Sequence, residues 1–569
     1  MITTPENKPQ PTGATSPAPT PQPKAPITSY HWWVVILASA GWLFDCMGQR
    51  IFVLGREPAM RELLAANATD QNVWLWGTLA TTALMVGWGT GGLIFGMMSD
   101  RYGRVKAMIL TLFGYTIFSA ISGFSHGVIE FVIYRLLFGL GVGGMFGAAT
   151  TLVAESVPAH FRTAALGSMQ ALSACGNMTA SALSFRIIPG AENLWGHFSG
   201  WQVLFFVGVC PAILALPMWL ILKEPEAWRK ARAEAASGGG KRVGSIADLF
   251  GDKRWRHNTL VGICFGISGM VGLWGIGFFS PELITTAFKA RPLQTAEVLD
   301  ASGLCLALKS PRNPAADHIK AKLSTPTVNV LNAVESGKEP PSSAVQELVT
   351  ELNRVIQGDR LYDAEAFKSV TLKKATHNLV ARTATQKTGR PDVIFLNRQL
   401  VEQAIPGTIK DLQKTIDQNK SRGTLLQDVG ALCGMFAFTF VAAYFNRRTA
   451  FFAAFALCLF SVAFVFHSLK TEADVYWMLP LLGFATLTPF AGYSIYFPEI
   501  FPTRLRGTGV GFCYNTVRYL AAPFPLLLGW LSTHWAFRTV AVVMSGIYLV
   551  GLVALIWAPE TKGKPLPQD

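Results

Sequence analysis

Three ionisable side chains lie inside long apolar runs: Asp45, Arg135 and Arg518. An ionised group at such depth costs roughly 2.5–3.5 kcal/mol even on lenient insertion scales, so each marks a proton relay, an ion pair or a solute path. Asp45 stands about 21 Å from one edge of its run at ~1.5 Å per residue, and Arg135, entering from the opposite side, reaches the same depth. The spacing therefore pairs them. A carboxylate that meets a guanidinium in only one arrangement of the helices binds and releases a proton as they rearrange; a purely structural salt bridge is the alternative. Arg518 falls near the midplane, where a guanidinium can grip a carboxylate bidentately. Arg50 stands close to a boundary and is expected to snorkel to it. Gln170, Asn177, Trp274, Tyr493 and Asn515 share depths suited to a central solute site, and each equally suits interhelical packing.

A second set of charges is repeated. Glu155-Ser-Val-Pro-Ala-His-Phe-Arg162 and Glu499-Ile-Phe-Pro-Thr-Arg-Leu-Arg506 share one pattern about 344 residues apart. Near them stand Gly96, Asp100, Arg101, Gly103 and Arg104 in the first copy, and Arg447 and Arg448 in the second. Glu155 with Arg101 or Arg104, and Glu499 with Arg447 or Arg448, form charge-assisted hydrogen bonds if the loops converge on one face. Solvated topology markers are the plainer reading, since exposed pairs are worth only ~0–1 kcal/mol.

The elements that must hold these groups are membrane helices. Charged residues make up 15% of the chain and hydrophobic residues 50%, as in a protein that uses lipid as solvent. Twelve runs are long enough to cross a bilayer: His31–Leu54, Val73–Gly96, Ala107–Phe124, Ile129–Val153, Thr163–Ser184, Trp201–Leu222, Asn258–Phe279, Leu426–Phe445, Thr449–His467, Val475–Phe497, Thr508–Trp530 and Ala536–Trp557. Lysine and arginine gather on one side of them, which assigns that side to the cytoplasm and makes the net charge of +14 a topology signal. A nucleic-acid partner is not indicated, because no compact basic domain with interleaved aromatics exists. Seven cysteines fall in the runs and Cys305 outside them. Metal-ligand spacing, Walker loop and nucleotide fingerprint are absent from the sequence, so no cofactor, metal or enzymatic activity is expected.

The expected fold is an all-α membrane protein of twelve transmembrane helices in two parallel-repeat six-helix bundles. Segment 1–28 reads as a disordered cytoplasmic tail, 29–222 as the first bundle, 223–256 as a cytoplasmic linker and 257–280 as helix seven. Segment 281–423 reads as a soluble helical insertion, 424–558 as helices eight to twelve, and 559–569 as a cytoplasmic tail. The offset between the charged phrases exceeds that between the bundles' first helices by roughly 120 residues, which places the insertion after helix seven. Within it, 343–358 and 393–405 have amphipathic helical patterns. It is read as a cap or an extracytoplasmic partner-binding segment, or as a tolerated elaboration.

Gly96-Met-Met-Ser-Asp100-Arg101-Tyr-Gly103-Arg104-Val-Lys106 resembles the loop signature between the second and third helices of the major facilitator superfamily. Arg135-Leu-Leu-Phe-Gly139-Leu-Gly141 resembles its fourth-helix motif. The two Glu…Arg phrases, Pro225-Glu226 and Pro559-Glu560-Thr561-Lys562-Gly563 are similar to sugar porters and related metabolite:proton symporters. The resemblance implies a multi-pass plasma-membrane transporter, in a bacterium an inner-membrane one, that rocks its two bundles about a central site with proton symport. Two departures matter. Ala443-Tyr-Phe-Asn446-Arg447-Arg448 lacks the Asp and Gly of the first-half loop, which implies an asymmetric gate. Where sugar porters carry two glutamines and an asparagine in helix seven, this chain has Ser268, Gly269 and Trp274, which disfavours a polyol because each unpaired desolvated hydroxyl costs about 1–3 kcal/mol. Aromatic-acid symporters carry Asp-Gly-x-Asp in helix one; Asp45-Cys46-Met47-Gly48 keeps the first carboxylate. A small organic acid is therefore the favoured solute, ahead of a sugar porter or uniporter and of a nutrient receptor that retains the transporter fold.

The twelve-helix count places 281–423 outside the cytoplasm. In a variant whose only cysteine is Cys305, an impermeant maleimide should label intact cells; reaction only after permeabilisation would reverse the topology.

Overall fold

The computed structural model describes residues 25–568 apart from 69, 189–197, 238–241, 277–279, nearly all of 281–407, 470–471 and parts of 525–536. The tail 1–24, Phe278-Phe279, Cys305 and the amphipathic patterns at 343–358 and 393–405 lie outside the described residues, save single positions. The described residues are almost entirely helical. Every one of the twelve apolar runs carries helix. The first half comprises α1 (Ser29–Leu64), α2 (Asp70–Tyr102), α3 (Arg104–Gly123), α4 (Val128–Ser156), α5 (Ala159–Ile187) and α6 (Gly200–Ile221). Two short helices follow, α7 (Glu226–Ala236) and α8 (Ile246–Gly251). The second half comprises α9 (Lys253–Gly275), α10 (Thr408–Tyr444), α11 (Arg447–Ser468), α12 (Glu472–Ile500), α13 (Arg506–Asn515), α14 (Val517–Ala521), α15 (Phe537–Met544) and α16 (Tyr548–Ala554).

Eight of these segments are long and apolar enough to cross a membrane by themselves. Runs seven, eleven and twelve extend past the described residues. The α5 helix carries Gln170, Ser173 and Asn177, which line an interior cavity rather than lipid. Run eleven is split between α13 and α14, and run twelve is interrupted at Ser545–Ile547 by a 3-10 turn. Against the expected boundary at 423, α10 starts at Thr408 and continues unbroken into the membrane run, so the end of the insertion is the first part of a membrane helix.

Exposed tryptophans form two belts. Trp32, Trp33, Trp219 and Trp557 stand at one end of the helices, and Trp74, Trp477 and Trp535 at the other, where an indole places its ring against acyl chains and its N–H toward the headgroups. Between the belts the helices approach as closely as their backbones permit. A Cβ on Gly143 of α4 would lie 2.3 Å from the Gly92 nitrogen and the Trp88 oxygen, and one on Gly87 of α2 would lie 2.0 Å from the Leu136 oxygen. The second half repeats this: a Cβ on Gly430 would meet the Pro480 oxygen at 1.9 Å, and one on Gly483 the Gln427 oxygen at 1.8 Å. Small residues let dispersion contacts accumulate where lipid offers no hydrophobic drive. The glycine-rich run Gly139–Gly147 is therefore a packing device.

Gly143→Ala should force α2 and α4 apart and cost about 1–3 kcal/mol, seen as a lower thermal midpoint of the purified protein. Gly546→Ala, whose Cβ would meet nothing within 4 Å, should leave the midpoint unchanged.

Candidate functional site

Two charged constructions lie on the axis between the halves. The first closes one face. Arg104, opening α3, donates from Nε and Nη2 to the two Glu155 oxygens at 3.2 and 3.1 Å and lies 3.1 Å from Asp100. Arg506, opening α13 in the other half, donates to Glu155 at 2.6 Å. All four side chains are fully buried. Asp100 also reaches across: its oxygens accept the Gly507 N–H at 3.0 Å, the Thr508 N–H at 2.7 Å and the Thr508 hydroxyl at 2.6 Å. A carboxylate thus caps the N-terminus of a helix in the opposite bundle, satisfying orphan donors and complementing the helix dipole.

The second-half copy follows the same plan. Arg447 donates to Glu499 at 3.1 and 2.8 Å and reaches Thr163 of the first half at 2.9 Å. Arg162 and Arg506 each fold back to the carbonyl preceding the glutamate of their own phrase, Ala154 at 2.8 Å and Pro498 at 3.0 Å. The copies part at Asn446, which caps its own helix through Thr449 N–H at 2.7 Å where Asp100 caps the opposite half. Gly96 admits Gly507, whose oxygen would lie 2.9 Å from an added Cβ, and Gly103 takes φ +125° against Glu224. Two expected pairings are corrected. Arg101 donates to the Gly244 carbonyl at 3.1 Å, and the Arg448 side chain to the Ile556 carbonyl at 3.4 Å, so both bind backbone instead of a gate glutamate.

Glu224 was not singled out by the sequence, and Glu560 entered only within the Pro559–Gly563 motif, although each follows the last helix of its half. Glu224 accepts the N–H groups of Arg104 and Val105 at 2.7 and 3.0 Å; Glu560 accepts those of Arg447 and Arg448 at 3.1 Å each. Burial raises Glu224 above the usual glutamate range despite these donors. Burial acts the same way on Glu560, but four backbone N–H donors outweigh it and hold that carboxyl low. The linker adds Trp228, which donates to the Asp100 carbonyl at 2.5 Å, and Asp248, which accepts from Arg504 at 2.7 Å.

The second construction is a cavity of ≈ 80 Å³ in the middle of the molecule. Both halves line it: Trp42, Trp88, Gln170 and Asn177 from one, and Trp274, Phe490, Tyr514 and Arg518 from the other. Trp42 donates to Gln170 at 3.0 Å, Trp88 meets Trp274 edge-on at 5.4 Å, and Phe146 stacks on Tyr514 at 3.7 Å across the interface toward the charged face. Arg518 donates from one nitrogen to the Tyr514 carbonyl at 2.6 Å and to Asn515 at 2.8 Å, and its guanidinium lies 3.6 Å over the Trp88 ring. Its Nε and Nη2 have no hydrogen-bond partner among the described residues, although the side chain is buried. A buried cation with two unused donors on a cavity wall can hold an anion.

Of the expected solute-site residues, Gln170, Asn177, Trp274 and Arg518 line this cavity. Asn515 sits behind it, orienting Arg518 and donating to the Gly143 carbonyl at 3.3 Å. Tyr493 is packed away from it against Gly269, with its hydroxyl on the Phe265 carbonyl at 2.7 Å. Asp45 is fully buried, neither of its oxygens has a hydrogen-bond partner among the described residues, and the guanidinium whose field reaches it is Arg518. The expected Asp45–Arg135 pair does not form. Arg135 bonds Ser122 and the Phe118 carbonyl at 3.1 Å and is enclosed by Phe52, Phe131, Phe138 and Phe205. Cation–π contacts replace the acid there, which no depth count along a helix could reveal. Arg50 does not snorkel: it meets Asp428 of the second half at 2.5 Å.

The profile of the family described as sugar (and other) transporters matches residues 51–245 and 312–568. Similar curated proteins include the cis,cis-muconate transport protein of Acinetobacter baylyi, 29% identical over 35% of this chain and 47% of that protein. A putative metabolite transport protein of Haemophilus influenzae is 28% identical over 46% of this chain and 60% of its own length. The benzoate transport protein of A. baylyi is 28% identical over 35% and 40% respectively. The chain spans about half the length of the curated relatives it matches. Among solved structures, the major facilitator superfamily proton:xylose symporter XylE superposes with a TM-score of 0.55 at 16% identity, covering 95% of this chain and 98% of that one. A partially occluded inward-open form of XylE from E. coli gives 0.51 at 15% identity, covering 95% and 100%. With the repeated charged loops, the paired bundles and the family match together, the chain is a multi-pass membrane protein of the major facilitator fold and belongs to the sugar (and other) transporter family.

Proposed function

We propose that the protein is a secondary transporter of the inner membrane that moves a small organic acid, with a flat or apolar body, together with a proton by alternating access. The observation that carries this reading is Arg518, a fully buried guanidinium with two unused donors on a cavity walled by Trp42, Trp88, Trp274, Phe490 and Tyr514. A carboxylate takes the fork and the aromatic walls take the body, whereas a polyol would leave hydroxyls unpaired against indole faces. The similar muconate and benzoate transport proteins carry organic acids by name, which agrees with this chemistry.

Proton coupling is assigned to Asp45, with Arg518 in the place the sequence gave to Arg135. Asp45 and a substrate carboxylate compete for one guanidinium. Protonating Asp45 removes the competitor, so anion and proton bind with positive coupling and, by linkage, each favours the other equally. The gate residues Asp100, Arg104, Glu155, Arg447, Glu499 and Arg506 hold one face shut, and inward opening must part Arg506 from Glu155 and Asp100 from α13. The cavity of ≈ 80 Å³ is far below the ~300–1,000 Å³ of a loaded ligand pocket, which fits an occluded arrangement.

Arg518→Lys keeps the charge and loses the fork. Hydrogen bonds to charged groups are worth ~1.5–3 kcal/mol, so uptake of benzoate-like acids into proteoliposomes should fall roughly tenfold or more with little change in thermal midpoint. Unchanged uptake, or robust uptake of glucose-like sugars by the parent, would defeat the substrate reading; ligand binding without accumulation would make the chain a receptor. Asp45→Asn should abolish pH-driven accumulation against a gradient while leaving substrate exchange intact, and an Asn variant that still concentrates the acid would remove Asp45 from the coupling.

A further inference from the structure

We infer that Arg50 and Asp428 form the latch that closes the cavity on the side opposite the charged gate, and that outward opening consists of breaking this pair. The inference rests on the alternating-access reading above and not on the choice of substrate.

Position comes first. The gate face is marked by Ser29, where α1 begins, by Tyr444, where α10 ends, and by Arg506, where α13 begins. At ~1.5 Å per residue, Arg518 stands about 18 Å from that face, Asp428 about 24 Å and Arg50 about 32 Å. The pair is therefore beyond the cavity as seen from the gate. Arg50 lines the cavity wall, and so does Gln427, the residue before Asp428.

Connectivity comes next. Arg50 belongs to α1 in the first half and Asp428 to α10 in the second, so their 2.5 Å contact spans the interface along which the bundles must part. The pair is nearly desolvated, with 13% and 0% side-chain exposure. A charge pair out of water is held by its own Coulomb attraction, and it separates once water enters to solvate both ends. Asp428 is held in register: its neighbour Gln427 accepts the Ser280 hydroxyl at 2.6 Å, tying α10 to the far end of the seventh membrane run.

The contrast with the gate decides which side yields first. The gate joins four fully buried charges and adds three hydrogen bonds from α13 to Asp100. Among the described residues, the charge pair that joins the halves on the far side is Arg50–Asp428, with partial exposure on Arg50. Loading requires one of the two closures to open, and the single pair is the weaker.

The test uses the full chain with Cys46, which lines the cavity, as its only cysteine. In intact cells, Arg50→Gln and Asp428→Asn should each raise the rate at which an impermeant thiol reagent labels Cys46 several-fold, and the swap Arg50→Asp with Asp428→Arg should return it toward the parent rate. If a single change leaves too little folded protein, the neutral double variant Arg50→Gln/Asp428→Asn, which strands no charge, should show the same increase. Parental labelling rates in the neutral variants, or a swap that labels as fast as they do, would overturn the latch. Increased labelling in a protein that takes up no organic acid would keep the latch and sink the substrate reading instead.

Discussion

A charge removed from water needs a partner, and at the face between the two halves that requirement binds four groups to one another. Arg104, Arg506, Asp100 and Glu155 are each fully buried there, and deleting any one strands the rest at a cost of several kcal/mol. Much of the surrounding architecture serves this cluster. Glu224 holds the start of α3 and with it the Arg104 backbone; Trp228 covers the Asp100 carbonyl; Arg506 also receives the Pro567 carbonyl of the C-terminal tail at 3.2 Å.

The repeat explains the economy of the design, and its flaw explains the asymmetry. Arg104–Glu155 and Arg447–Glu499 are the same construction within each half, and Glu224 and Glu560 cap corresponding helices. Of the two loops, that of the first half carries an aspartate that reaches the opposite bundle. Asn446 bonds its own helix instead, so the two loops, though related, do not contribute equally to closure.

At the centre the same electrostatic rule has two different outcomes. Arg135 is neutralised by nothing ionic and is stabilised by four phenyl faces. Arg518 lies over Trp88 and retains two free donors beside a buried aspartate. Arg135 likewise keeps Nε and Nη1 without hydrogen-bond partners among the described residues, but it does not line the cavity, whereas Arg518 does. An unfinished contact on a cavity wall is what a solute can complete.

The sequence by itself determined the membrane helices and the twofold repeat, and it picked out Asp100, Arg104, Glu155, Arg447, Glu499 and Arg506, whose charges the structure pairs, and the packing role of the glycines, because hydropathy, charge and side-chain size act locally and leave a periodic trace. It also located Arg518, since an arginine at mid-membrane depth is costly wherever its helix lies. Partnership was decided only by the tertiary structure. Depth counting made Asp45 and Arg135 neighbours and sent Arg50 to the surface, whereas the rotation of each helix about its axis turned Arg135 into a phenylalanine cage and brought Arg50 onto Asp428. A sequence reports how far along a helix a residue lies; which neighbour it faces depends on azimuth and crossing angle, and those are set by the packing of all the helices together.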